Sequence, residues 1–247
     1  MLGWRIVSWR DKFGIYRDMN TANYKIDELQ QHSVWQRTAV EEFLNSLTHG
    51  LGLVLAVWGG LVMVWSVLRH GDVWRITGCG IFAASLVAVY AASTLSHSCT
   101  SVRWKSFFRR LDQGCIYFLI VATYTPFGLA YWRTGGGWML LGGLWTAAFL
   151  GFFAKVVLAH RVHNISMWTY IALGWLPLIA VPALRHTVPV DSAWWMLGGG
   201  ACYLLGTFFL FYDARVRHFH AIWHLLVIAG SACHFLAILQ SVARAGF

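Results

Sequence analysis

Charge is scarce in this chain. Asp, Glu, Lys and Arg make up 12% of its 247 residues, against about 25% in a typical soluble domain. That shortage excludes an ordinary water-soluble globule. Acidic residues are the scarcer sign, ten against nineteen Lys and Arg. The basic excess does not point to nucleic acid, because it falls in short stretches between apolar runs. Cysteine occurs five times, at Cys79, Cys99, Cys115, Cys202 and Cys233, with no CxxC pair. Scattered in this way, the cysteines exclude a disulfide framework and a thiolate metal site, and read as small buried residues. A cleavable signal peptide is also missing: residues 1–45 mix Arg, Lys, Asp and Glu and contain no apolar h-region.

What is abundant is apolar surface. Hydrophobic residues reach 58%, with fifteen Trp and sixteen Phe, as expected where aromatic rings meet the bilayer interface. Seven apolar segments follow a polar beginning, at about 46–68, 73–97, 112–132, 136–158, 165–184, 193–212 and 219–240. Each is close to the roughly 20 residues that cross the hydrocarbon core as a helix. Pro126, Pro177 and Pro182 fall inside these spans, where membrane helices accommodate them as kinks. The expected fold is therefore an all-α integral membrane protein, a bundle of seven transmembrane helices over residues 41–247, preceded by a cytoplasmic tail over residues 1–40.

Fourteen of the nineteen Lys and Arg fall on one side of such a bundle when the N-terminus is placed inside. The other side holds Arg69, Arg75, Arg133, Arg185 and Arg244. Positive charge accumulates in cytoplasmic loops, so the N-terminus is expected inside and the C-terminus outside, in a plasma membrane.

That topology collects the polar residues at one level. His220 and His224 stand four apart at the start of the seventh span, on one helix face and able to reach one ion. Alone, such a pair reads as interfacial histidines meeting headgroups. His97 closes the second span, Ser93 lies one turn deeper, and Asp112 opens the third. Three histidines and a carboxylate at one depth suit a zinc ion with an open fourth position. Neutral imidazoles favour zinc over magnesium or calcium. Asp112 would serve as base and Ser93 would orient water or a carbonyl. Plainer roles stand beside these: Asp112 as a helix cap, Ser93 bonded to its own backbone. Glu42, Asn45 and His49 line the start of the first span, with Glu42 and His49 in a supporting role around the ligands. Cys99 is a soft rival ligand to a set already complete. His160, His163 and His218 read as loop histidines, and Lys155 as snorkelling to the interface. His234, ten residues past His224, is about 15 Å further along the helix, too far to share the ion.

Three blocks carry a resemblance: Glu42-x2-Asn45-x3-His49; Ser93-Thr94-Leu95-Ser96-His97 with Arg110-Leu111-Asp112; and His220-Ala221-Ile222-Trp223-His224. Together with Thr123-Tyr124-Thr125-Pro126-Phe127, Leu173-Gly174-Trp175 and Gly230-Ser231-Ala232-Cys233-His234-Phe235, they resemble the hemolysin III / progestin and adipoQ receptor (PAQR) family, in its bacterial hemolysin III branch. The likeness runs from about residue 41 to 240; Gln113 departs from the histidine common there, and residues 1–40 have no counterpart. The resemblance implies seven helices with the N-terminus inside, zinc ligands at His97, His220 and His224, and Ser93 and Asp112 around the ion's water. It also implies a membrane lipid as substrate or ligand, an amide lipid such as ceramide being one expectation. A non-enzymatic regulator of membrane homeostasis or receptor with a structural zinc is the alternative, and a pore-forming cytolysin the third.

Overall fold

The computed structural model describes residues 38–158, 167–177 and 189–243. The chain divides into two units, Met1–Val40 and Glu41–Phe247; all that follows concerns the second and the first turn of the helix leading into it. The tail expected over residues 1–40, His160 and His163 lie outside the described residues, apart from Thr38–Val40.

Seven helices occur among the described residues, with no strand. They are α1 (Ala39–His70), α2 (Val73–Ser98), α3 (Val102–Tyr131), α4 (Gly135–Val156), α5 (Met167–Trp175), α6 (Val190–Tyr212) and α7 (Phe219–Ile238), the last continued by a π-helical turn, Leu239–Ala243. Six are long and apolar enough to cross a membrane. The fifth expected span, 165–184, is described as helix only over Met167–Trp175; its remainder from residue 178 lies outside the described residues.

The exterior of the bundle is apolar and its interior holds the polar groups. Along α1, Val54, Trp58, Leu61 and Trp65 recur at helical spacing and are exposed, Trp58 at 69%. The opposite stripe, Asn45, His49, Gly52, Ala56, Gly60, Met63 and Val67, is buried. Such a pattern is inverted relative to a soluble protein and is stable only with lipid as the outer solvent. Asn45 and His49 are on the inward stripe, so helical register alone carries them into the bundle.

Short connections order the first four helices. Asp72 caps α2 by accepting from the N–H groups of Trp74 and Arg75 at 3.0 and 2.9 Å. Thr134 caps α4 through Gly137 N–H. Pro126 lies inside α3 opposite Gly78, where a Cβ would approach the Pro126 Cα to 2.7 Å; only glycine admits that contact.

One expectation is corrected. Asp112 does not open the third helix: α3 begins at Val102, with Ser101 at its N-cap. The stretch from Val102 to Leu111 is too basic to count as a membrane span, yet it contains no Pro or Gly. Nothing breaks the helix there, so it extends beyond the apolar run. Asp112 is consequently a buried residue within the helix, and the capping role is excluded.

Candidate metal centre

α2 ends and α1 and α7 begin at the same end of the bundle, which brings His97, His220 and His224 together. One ring nitrogen from each lies within 4.8 Å of the others. Their ring centroids form a near-regular triangle, with sides of 4.5 Å (His220–His224), 5.1 Å (His97–His220) and 5.2 Å (His97–His224). His224 is fully buried and His97 nearly so, while His220 is half-buried.

Nδ1 of each histidine lies beside an oxygen. His97 Nδ1 lies 2.9 Å from Glu42 Oε2, and His220 Nδ1 lies 2.7 Å from Asp213 Oδ2. His224 Nδ1 lies 3.0 Å from Thr48 Oγ1. Carboxylates accept, so the first two histidines donate from Nδ1. The Thr48 hydroxyl also reaches the Leu44 and Asn45 carbonyls at 2.9 and 3.0 Å. Each ring thus has an oxygen partner at Nδ1, the outer-shell arrangement that orients metal-binding histidines. Lys105 Nζ, 3.1 Å from the same Glu42 oxygen, balances that carboxylate's charge.

Three neutral imidazole donors with oriented outer partners fit a zinc ion. Within the described residues this is the group of donors close enough to hold a metal. Cys99 is outside it, at the C-cap of α2.

Asp112 and Ser93 occupy a neighbouring layer. Ser93 lies four residues before His97 on α2, about 6 Å deeper by helical rise, and Asp112 lies within α3. Its carboxyl neighbours Ser93 across the α2–α3 contact, although the Ser93 hydroxyl forms no conventional hydrogen bond. Asp112 and His49 both face a cavity of about 590 Å³. Its lining reaches from Asp112 to Trp132 along α3, about 30 Å by helical rise, and consists mostly of Leu, Ile and aromatic side chains. His49 also packs against His224, with centroids 3.5 Å apart and planes tilted by 30°.

The supporting role expected of Glu42 is the one its geometry gives it. Thr48, Lys105 and Asp213 escaped sequence reasoning. Asp213 alone left a local signal, a lone acid one short turn before the histidine helix. His218, expected in a loop, is in the turn ahead of α7 and adopts a left-handed backbone with φ 64°. Lys155 is half-buried in the last turn of α4.

Fold and site define a class: a multi-pass helical membrane protein with a buried three-histidine cluster, able to hold a metal ion, at one end of the bundle. The chain belongs to the family described as Haemolysin-III related, whose model matches residues 37–235. It is 34% identical to "Hemolysin-3" of Bacillus cereus over 199 residues, covering 81% of this chain and 90% of that protein. Identity to the "Hemolysin-3 homolog" of Bacillus subtilis (strain 168) is also 34%, over 210 residues, covering 85% and 98%. More distantly, it is 27% identical to the human "Monocyte to macrophage differentiation factor", covering 85% of this chain and 88% of the relative. No solved structure matches the chain.

Proposed function

We propose that the chain is a zinc-dependent hydrolase of amide-bearing membrane lipids, serving lipid homeostasis in a bacterial plasma membrane. The observation that carries this reading is the junction of two features: three histidines whose ring nitrogens converge within 4.8 Å, each with Nδ1 beside an oxygen, next to an apolar cavity whose wall bears a carboxylate, Asp112. Zinc, when bound, supplies Lewis acidity and a nucleophilic water at neutral pH.

The chain's own residues do the rest. His97, His220 and His224 provide the ligand set, and Glu42, Asp213 and Thr48 hold their ring orientations. The apolar cavity holds the lipid's hydrocarbon and excludes water from it, which leaves the polar linkage at the histidine end. Asp112 takes a proton from attacking water and returns it to the leaving amine. Ser93, beside Asp112, orients the water or polarises the carbonyl. Because the cytoplasmic side carries the basic residues, this chemistry is assigned to the inner face.

A second reading draws on the donors' origin in α2 and α7, distant in sequence. A zinc that ties these helices together would act as a structural clamp in a non-enzymatic regulator or receptor. Purified protein incubated with a bacterial lipid extract, with and without chelator, separates the two. Release of fatty acid and amine that the chelator abolishes supports hydrolysis; no chelator-sensitive product across the extract contradicts it.

A further inference from the structure

Glycine inside a helix costs stability relative to alanine, so each one there calls for a reason. Close packing supplies it at several positions of this bundle. A Cβ at Gly199 would come within 2.3 Å of the His234 ring, and one at Gly151 within 2.5 Å of Tyr117. Gly174 of α5 and Gly200 of α6 are different. Among the described residues, the one atom within 4 Å of a Cβ at Gly174 is Ile120 Cγ2, at 3.9 Å; at Gly200 it is Trp175 Cζ2, at 4.0 Å. Both are ordinary contacts, and neither φ lies in the left-handed region. Neither packing nor backbone calls for glycine there. Both residues line the cavity. Gly174 belongs to the stripe Met167, Tyr170, Ile171 and Gly174 that α5 turns toward it, and Gly200 to the stripe Leu197, Gly200 and Leu204 of α6, each at helical spacing. A side chain at either position would therefore project into the cavity. The end of α5 is fixed in place: Leu173 is buried, and the Gly174 carbonyl accepts from the Tyr124 hydroxyl of α3.

We infer that Gly174 and Gly200 are specificity-determining positions, whose missing side chains set the length of hydrocarbon chain that the cavity accepts. Ile120, beside Gly174, is eight residues past Asp112 on α3, about 12 Å deeper by helical rise. The lining continues along α3 as far as Trp132. A short chain ends before the two glycines, whereas a long one must pass them. A large side chain at either position would close that passage and leave the far part of a long chain unburied. The inference rests on reading the cavity as a lipid-chain site, and needs neither bound metal nor turnover.

The test compares binding of octanoic and octadecanoic acids to the full-length protein by titration calorimetry in detergent, with chelator present throughout. Each acid partitions into micelles equally whichever protein is present, so the ratio of variant to wild-type affinity reports the cavity. Gly174→Leu and Gly200→Leu should bind octanoic acid as wild type does. They should bind octadecanoic acid about tenfold or more weakly, the scale of roughly two methylenes left unburied. Gly174→Ala, which a helix favours, should show a smaller loss confined to the longer acid. Unchanged binding of octadecanoic acid by both leucine variants overturns the inference while leaving the cavity reading intact. Should the leucine variants fail to fold, Gly174→Ala carries the test alone, and equal affinity ratios for the two acids overturn the inference. Failure of wild type to bind either acid overturns both.

Discussion

His224 Nδ1 lies 3.0 Å from Thr48 Oγ1, and the Thr48 hydroxyl reaches the Leu44 and Asn45 carbonyls one turn earlier at 2.9 and 3.0 Å. A side chain on α1 thus orients a ring that α7 offers to a metal. Thr48→Val keeps the shape and removes the oxygen, so it should lower zinc affinity about 10–100-fold. Thr48→Ser should stay near wild type. Competition with a fluorescent chelator on detergent-solubilised protein reads both.

Glu42 and Asp213 perform the same task for His97 and His220, at 2.9 and 2.7 Å. Glu42→Ala and Asp213→Ala should each weaken zinc binding by about 10–100-fold. Lys105→Ala removes a charge partner of Glu42 but no partner of the histidines. Its effect should be the smallest of the three, and an effect as large as that of Glu42→Ala would assign Lys105 a direct part in the site.

His218 occupies a left-handed conformation, φ 64°, in the turn that joins Asp213 to His220. Glycine adopts this region without strain, whereas β-branched residues are held out of it. His218→Val should destabilise the protein by about 1–2 kcal/mol and weaken zinc binding by disturbing the Asp213–His220 pair. His218→Gly should be close to neutral in thermal unfolding.

Much of this was legible in the sequence, and the reasons for the rest are physical. Hydropathy marks where a helix enters lipid, so the long spans followed from pattern, whereas the inward stripe through Asn45 and His49 emerged only with the packed helices. Hydropathy does not mark where a helix begins, and α3 therefore starts ten residues ahead of Asp112. The three histidines could be grouped because each lies near the end of an apolar run. Their partners could not: Thr48 and His224 are 176 residues apart in the chain, and Glu42 and His97 are 55 apart. Such pairs are set by packing between helices, which one sequence does not display.

Asp112 separates catalyst from clamp. Asp112→Asn barely changes side-chain volume and touches no zinc donor, so metal content should be retained. Lipid-product release should fall on the order of 10²–10⁴-fold, as for loss of a general base. Both quantities are read on one detergent preparation. Normal product formation would remove Asp112 from the mechanism.

The central claim is that His97, His220 and His224 hold one zinc ion. The direct measurement is elemental analysis of purified wild type and of the three single His→Ala variants, each with its thermal unfolding. Wild type should carry about one zinc per chain. Every variant should carry less and unfold at lower temperature, because a ligand bound only by the folded state stabilises it. Full zinc occupancy in all three variants would contradict the account.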